Sequence, residues 1–373
     1  MRAILRKLAG TAYRLAPKRN DAVVWAWPDN EDSAIALERA LQGCSVRKVF
    51  LLTSGTEIPP IWETGMKTTV LRKNSVAGWL RFCFARHVFF THPCYTRDFP
   101  GSVVSVNVWH GMPIKKIGRL IEDDPVIRSS HTLATSPFWG EIMRSALAPQ
   151  GDILPVGLPR NDRLFSDRAA VMEKLGLAGD VKLLAWLPTY RKSLRGLPRT
   201  DGIDTGDVFG MPGLDPDELN VFLKARNAVL LVKPHPMAAA GGLSDRVNLI
   251  LADEAWLRER SLSLYELLGA TDLLISDISS VVIDYLLLDR PVIHAFPDLA
   301  EYRDSRGFTV DPIEDYFAGP VVSDPASLFA ALDDVLSGGD PEAPRRRKIR
   351  ALSHQHADNG STRRLMRAIG IAE

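Results

Sequence analysis

Short, largely apolar runs recur along this chain with little polar residue inside them. The first half carries AVVWAW (22–27), VRKVFLLT (46–53), TTVLR (68–72), HVFFT (87–91) and SVVSVNVW (102–109). The second half carries VKLLAWL (181–187), AVLLVK (228–233), VNLIL (247–251), TDLLIS (271–276) and PVIHAF (291–296). A strand with one wet face alternates apolar and polar residues, whereas a strand covered on both faces reads as a continuous run. Between the runs lie stretches with helical character, such as NEDSAIALERAL, with Asn30 or Ser33 as its cap. The rhythm predicts an α/β fold with two parallel sheets, each wrapped by helices.

Two sheets also suit the length, since 373 residues exceed what one hydrophobic core usually organises. The pattern weakens from Gly157 to Gly176, which predicts an N-terminal lobe over 1–165 and a C-terminal lobe over 166–373. The Gly/Pro-rich stretch at 191–218 reads as one long loop, a length usually reserved for function or motion.

Charge and cysteine usage exclude several classes. The formal net charge of +1 lacks the basic excess of a dedicated nucleic-acid binder, so nucleic acid is not an expected partner. Cys44, Cys83 and Cys94 stand far apart without CxxC spacing, so neither a disulfide framework nor a zinc site is expected. No apolar run is long enough to span a bilayer. Residues 1–20, however, hold six basic side chains and no acid. Ile4, Leu5, Leu8, Ala12 and Leu15 share one helical face of that segment. A helix of this kind can lie on an anionic membrane surface or pack as a leader on its own domain.

In an open parallel sheet, ligands bind beyond the carboxyl ends of the strands. The chemically rich residues cluster there. VKLLAWL is followed by Pro188, Thr189, Tyr190 and Arg191; AVLLVK by Pro234 and His235; TDLLIS by Asp277, Ser279 and Ser280. Singly, each has a plain structural reading as a loop charge, a rigid turn or a helix cap. A serine pair opening a helix also offers hydroxyls and free N–H groups to an anion. With a guanidinium and an imidazole on the same sheet edge, the pattern predicts a phosphate or diphosphate site. No GxGxxG, GxxxxGK[ST] or strand-end DxD is present, so there is no dinucleotide fingerprint or P-loop, a metal-bridged diphosphate is not expected, and no cofactor is implied. In the first half, SVNVWHGMPIKKIG places His110 and Gly111 at a strand end before Lys115 and Lys116. The imidazole there either caps the strand or does chemistry.

These motifs together resemble the CDP-glycerol glycerophosphotransferases of teichoic acid and capsule synthesis. VWHGMPIKKIG is similar to that family's Trp-His-Gly-Thr-Pro-Leu-Lys motif, with Met112 where Thr is usual. VGLPRND, LPTYR and VKPHP resemble its Gly-x-Pro-Arg-Asn-Asp, Pro-Thr-x-Arg and His-Pro segments. The 38 residues from Thr271 to Phe308 match in one register. HADNGSTRRLMRAI is similar to the closing Asp-Gly-x-x-Ser-x-Arg stretch, with Asn359 where Asp is usual.

The resemblance implies two Rossmann-like lobes of the glycosyltransferase B type with the active site in the cleft between them. It implies a peripheral enzyme on the cytoplasmic face of the cell membrane. That enzyme moves glycerol phosphate from CDP-glycerol to a hydroxyl of a polyprenyl-diphosphate-linked acceptor and releases CMP. On the matching motifs it implies His110 and His235 as catalytic groups. It implies substrate contacts at Gly111, Lys115, Arg160, Asn161, Thr189, Arg191, Ser279, Ser280 and Ser361. His110 is expected to act as general base on the acceptor lobe. His235, Arg191 and the serines are expected to grip the diphosphate without a metal. Asp277 is either a structural acceptor at the helix start or a nucleotide contact, and Glu301 and Arg306 are candidates for the glycerol or ribose. CDP-ribitol or a nucleotide sugar as donor, and a non-catalytic basic scaffold, are the alternatives. The absence of an appended module in this chain favours one or few additions over polymerisation.

Overall fold

A computed structural model describes residues 10–55, 64–121, 127–188, 208–233, 243 and 246–371. Most of the leader (residues 1–9), Thr189 and Arg191, most of the 191–218 loop, and His235 lie outside the described residues.

The chain divides into two compact units. The first holds a seven-stranded, all-parallel sheet. Its strands are β1 (Arg19–Trp25), β2 (Val49–Thr53), β3 (Thr68–Arg72), β4 (Ala85–Phe90), β5 (Val104–Asn107), β6 (His131–Leu133) and β7 (Asp152–Leu154). Their order is β3-β2-β1-β4-β5-β6-β7. The second unit holds a six-stranded parallel sheet of β8 (Lys182–Leu187), β9 (Ala228–Val232), β10 (Leu249–Leu251), β11 (Leu273–Ser276), β12 (Val292–Ala295) and β13 (Val321–Val322). Its order, β10-β9-β8-β11-β12-β13, repeats the same doubly-wound plan. Both halves are therefore Rossmann-type lobes, as the resemblance implied.

The continuous apolar runs have the expected cause. On β8 and β9, Leu184, Trp186, Leu230 and Val232 enter one core with the helices Pro216–Lys224 and Pro325–Leu336. Leu183, Val229 and Leu231 enter the opposite core with the helices Arg168–Leu175, Glu254–Glu259 and Leu264–Ala270. Each such aliphatic side chain, fully buried, is worth about 1.5–3 kcal/mol over leaving it in water.

Several local expectations are corrected. The first helix (Asp32–Gly43) is capped by Glu31, whose carboxylate accepts from the Ser33 and Ala34 N–H groups, not by Asn30 or Ser33. Strands β6, β7 and β13 were not expected, because two or three residues carry no periodicity. The lobe boundaries also differ. Residues 354–373 belong to the first unit, and Pro113–Lys116 to the second.

Specific bonds explain both exchanges. The Asp162 carboxylate accepts the N–H groups of Ser361 and Thr362, each at 2.8 Å, and so caps the helix Ser361–Ala368. The Arg364 Nε donates to the Val156 carbonyl. Gly157 lies between them at φ 88°, where a Cβ would meet the Ser361 Oγ at 2.4 Å. In the other direction, the Lys116 N–H donates to the Gly307 carbonyl and the Thr309 N–H to the Ile114 carbonyl. Met112, standing where the family has threonine, is completely buried, which suits its apolar side chain.

Candidate active site

In the second unit the sheet order reverses between β8 and β11, and the turn after β11 lies at that point. The Ser276 hydroxyl donates to the Leu187 carbonyl at 2.6 Å, tying the two strand ends together. The Asp277 Oδ1 accepts its neighbour's N–H, that of Ile278, at 2.6 Å. The carboxylate is thereby engaged in shaping the turn. His294, on β12, donates from Nδ1 to the Asp277 carbonyl at 3.0 Å and accepts the Ala318 N–H at Nε2, also at 3.0 Å. Burial pushes the His294 pKa down to about 4, which holds the ring neutral for this bridge.

Ser279 and Ser280 follow, both half-buried. The Ser279 Oγ accepts the Val281 N–H at 3.4 Å, while Ser280 makes no side-chain cap. The helix they open is short, Val281–Tyr285, and tightens into a 3-10 turn at Leu286–Leu288. Glu301 is exposed on the helix Leu299–Ser305, and Arg306 sits half-buried at its end. Lys115 comes from the other half of the sequence to lie 5.4 Å above the buried Tyr302 ring in the same unit. The structure thus gathers the lysine of the WHG motif with the Glu301–Arg306 stretch.

In the first unit the corresponding edge is built around His110. The Trp109 N–H is held by the Asn107 Oδ1 at 3.1 Å, and Trp109 takes a left-handed φ of 59°. Gly111 follows at φ 125°, a conformation that a side chain would strain. Two such residues around His110 turn the chain sharply and leave the imidazole exposed. Its Nδ1 bonds the Thr91 carbonyl at 3.2 Å. A carbonyl only accepts, so Nδ1 carries the proton and Nε2 keeps its lone pair. Although the residue is exposed, the protein crowded around the ring pushes its pKa down to about 4. The Thr91 bond opposes that fall, and the Arg160 charge adds to it.

Arg160 itself is buried, with NH1 3.7 Å from the Glu31 carboxylate. Burial pushes Glu31 up to about 7, against the pull of Arg160. Asn161 is fully buried, and neither group of its amide has a hydrogen-bond partner among the described residues. Ser361 is also buried in this unit, and its N–H donates to the Asp162 carboxylate. Arg163 pairs with Asp32 at 2.8 Å in the interior.

His92, Thr91, Trp27, Glu31 and His294 were not expected. Thr91, His92 and Trp27 stand next to strand ends, a position many other residues share, while Glu31 caps a helix and His294 lies inside a strand, so neither of these two carried even that signal. Among the described residues, no cluster of three or more His, Cys, Asp or Glu could hold a metal ion. No described helix is long and apolar enough to cross a membrane.

Comparison with known proteins fits this geometry. Residues 11–370 match the family model described as CDP-glycerol:poly(glycerophosphate) glycerophosphotransferase. The chain is 27% identical over 300 residues to teichoic acid ribitol-phosphate polymerase TarL of Staphylococcus aureus, covering 74% of this chain and 49% of that protein. It is 26% identical over 294 residues to the teichoic acid ribitol-phosphate primase of Bacillus spizizenii, covering 73% and 71%. The chain thus spans about half the length of TarL, the first of these relatives. A solved structure of the wall teichoic acid polymerase TagF superposes with a TM-score of 0.75 at 21% identity, covering 99% of this chain and 94% of that one. The two share a fold. With a match running almost from end to end, the chain belongs to the CDP-glycerol:poly(glycerophosphate) glycerophosphotransferase family.

Proposed function

We propose that this protein transfers glycerol phosphate from CDP-glycerol to a hydroxyl of a polyprenyl-diphosphate-linked acceptor, releasing CMP, in the synthesis of a teichoic-acid-like or capsular polymer. The acceptor oxygen attacks the phosphorus that bears glycerol. The new O–P bond replaces the bond to CMP, and the hydroxyl proton passes to His110. The observation that carries this reading is the pinned His110 imidazole, with its Nε2 lone pair available at a strand end of a family member. A positioned base of this kind contributes about 10² to 10⁴-fold. Lys115 adds positive potential, and Arg160 and Asn161 support the His110 side of the lobe. His235, Arg191 and Thr189, with Ser279 and Ser280, bind the diphosphate and stabilise the charge that develops on CMP. Asp277 supports the turn by accepting the Ile278 N–H, and Ser361 supports the clamp by donating its N–H to Asp162. Glu301 and Arg306 contact the glycerol or ribose.

A structure of TagF soaked with CDPG supports the cytidine donor. CDP-ribitol is the second reading, because TarL and the Bacillus spizizenii primase are named for ribitol phosphate. The enzyme works at the cytoplasmic face of the membrane, held through its basic leader. Ala12 and Leu15, on the apolar face of that leader, are exposed, Leu15 at 79%, which supports a lipid contact over packing on its own lobe.

Incubation with CDP-glycerol, CDP-ribitol and UDP-sugars, with and without a polyprenyl-diphosphate-linked acceptor, tests the proposal. Acceptor-dependent CMP release from CDP-glycerol, undiminished by a chelator, is the expected result. CMP release from CDP-ribitol alone selects the second reading, and UDP release from UDP-sugars alone overturns both.

A further inference from the structure

We propose that His92 is a second imidazole of the acceptor site, donating from Nε2–H to the oxygen beside the hydroxyl that His110 deprotonates. The inference rests on the reading of His110 as the base of a transfer to an acceptor hydroxyl.

His92 follows β4 and Trp27 follows β1, the two strands between which the order of the first sheet reverses. Crevices at such reversals are where open α/β sheets take their ligands. Trp27 is 41% exposed, and its ring meets that of His92 edge-on at 5.3 Å. His92 in turn stacks on His110, with centroids 4.3 Å apart and planes within 13°. Trp109 closes the other face of His110, also at 4.3 Å.

One residue holds both imidazoles. The Thr91 carbonyl accepts from His110 Nδ1, and the Thr91 Oγ1 lies 3.0 Å from His92 Nδ1. That hydroxyl oxygen already accepts the Trp27 N–H at 3.2 Å and is buried. Among the described residues its own hydrogen has one partner, His92 Nδ1. A buried hydroxyl hydrogen left unbonded is costly, so His92 Nδ1 accepts and His92 Nε2 carries the proton.

The two rings therefore hold opposite tautomers. They are nearly parallel, and Thr91 holds the Nδ1 of each, which leaves each Nε2 on the part of its ring turned away from Thr91. The stack thus carries a lone pair on one ring and an N–H on the other, and neither Nε2 bonds another described residue. Burial, the repulsion two protonated rings would feel, and the Lys73 charge push the His92 pKa down to about 3, which keeps the pair neutral as this pattern requires. The chemical match is a vicinal diol, with one hydroxyl giving its proton to His110 and the next accepting from His92. The exposed Trp27 face suits the carbon skeleton of such an acceptor.

Nitrogen-15 NMR of the substrate-free protein should show Nε2–H on His92 and Nδ1–H on His110. His92→Phe, which keeps a ring in the stack and loses the donor, should raise the KM for a glycerol-phosphate-ended acceptor tenfold or more. Its kcat should stay within about threefold and its CDP-glycerol affinity unchanged. His92→Gln, which restores an N–H near the same place, should recover most of the loss. An analogue ended by propane-1,3-diol should bind wild type and His92→Phe equally. Wild-type KM in His92→Phe, no recovery in His92→Gln, or an Nδ1–H tautomer on His92 would each overturn the proposal. If wild type releases no CMP with any acceptor, the proposed function fails, while the tautomer measurement still decides the donor–acceptor pair.

Discussion

His294 donates from Nδ1 to the backbone carbonyl of Asp277 at 3.0 Å, one strand away from the turn it braces. The ring accepts the Ala318 N–H at its other nitrogen, so it is a strut with both ends engaged. His294→Leu should lower the affinity for CDP-glycerol several-fold by loosening the Asp277–Ser280 turn. It should also cost about 1–3 kcal/mol of stability through the buried partners left behind. Calorimetry with CDP-glycerol and a thermal melt check the two effects separately.

The same residue makes stability depend on pH. The His294 pKa falls from the ordinary 6.5 to about 4 in the folded state. Between those values the unfolded chain binds a proton that the folded chain refuses. Stability is therefore full above pH 6.5 and lost as pH falls toward 4, by about 1.4 kcal/mol per unit for one group. Urea unfolding at a series of pH values should show a slope in this window about one proton shallower in His294→Leu than in wild type. Equal slopes would mean the ring is not held neutral.

For the proposed base, His110→Ala should cut turnover by about 10² or more and leave donor affinity nearly unchanged. Since its pKa is pushed down to about 4, the base stays neutral through mildly acidic pH. The acidic limb of kcat/KM should accordingly lie well below 6.5, the ordinary imidazole value. A limb at the ordinary value, or normal turnover in His110→Ala, would remove His110 from the mechanism.

The clamp between Asp162 and the helix Ser361–Ala368 predicts a purely structural defect. Burial raises the Asp162 pKa, while the bonds from Thr362 and Ser361 hold it down. Asp162→Ala removes two N–H acceptors and should cost about 1–2 kcal/mol, the scale of a lost helix cap. Gly157→Ala should also destabilise, because its φ and its approach to Ser361 both exclude a Cβ. Thermal melts measure the loss, and early proteolysis near residue 360 should accompany it.

The proposed membrane attachment is tested by a truncation that spares the core. Tyr13 is buried against Phe82 at 5.1 Å, so a deletion through residue 19 would open the lobe. Deleting residues 1–9 and adding Leu15→Glu should instead weaken sedimentation with anionic vesicles and leave the melt unchanged. Basic residues near such a surface contribute about 1 kcal/mol each. Undiminished sedimentation would reject the leader as the anchor.

Much of this protein was legible from its residues. Leu183–Leu187 and Ala228–Val232 announce strands covered on both faces, because burial on both sides is a local property written in every residue of the run. The placing of His110, Ser279 and Ser280 at strand ends followed from the same runs. Strand neighbours are a different matter. That β4 lies beside β5, so that Thr91 can hold His92 and His110 together, depends on long-range pairing that no local pattern encodes. The return of Ser361 to Asp162, 199 residues earlier, has the same character, as does the crossing of Lys115 to Tyr302. Glu31 displaced Asn30 and Ser33 as a cap because the backbone angle at the helix entry, not residue preference, selects which side chain reaches the free N–H groups. Periodicity along a chain reports which side chains are buried; only the packed sheet decides which of them meet.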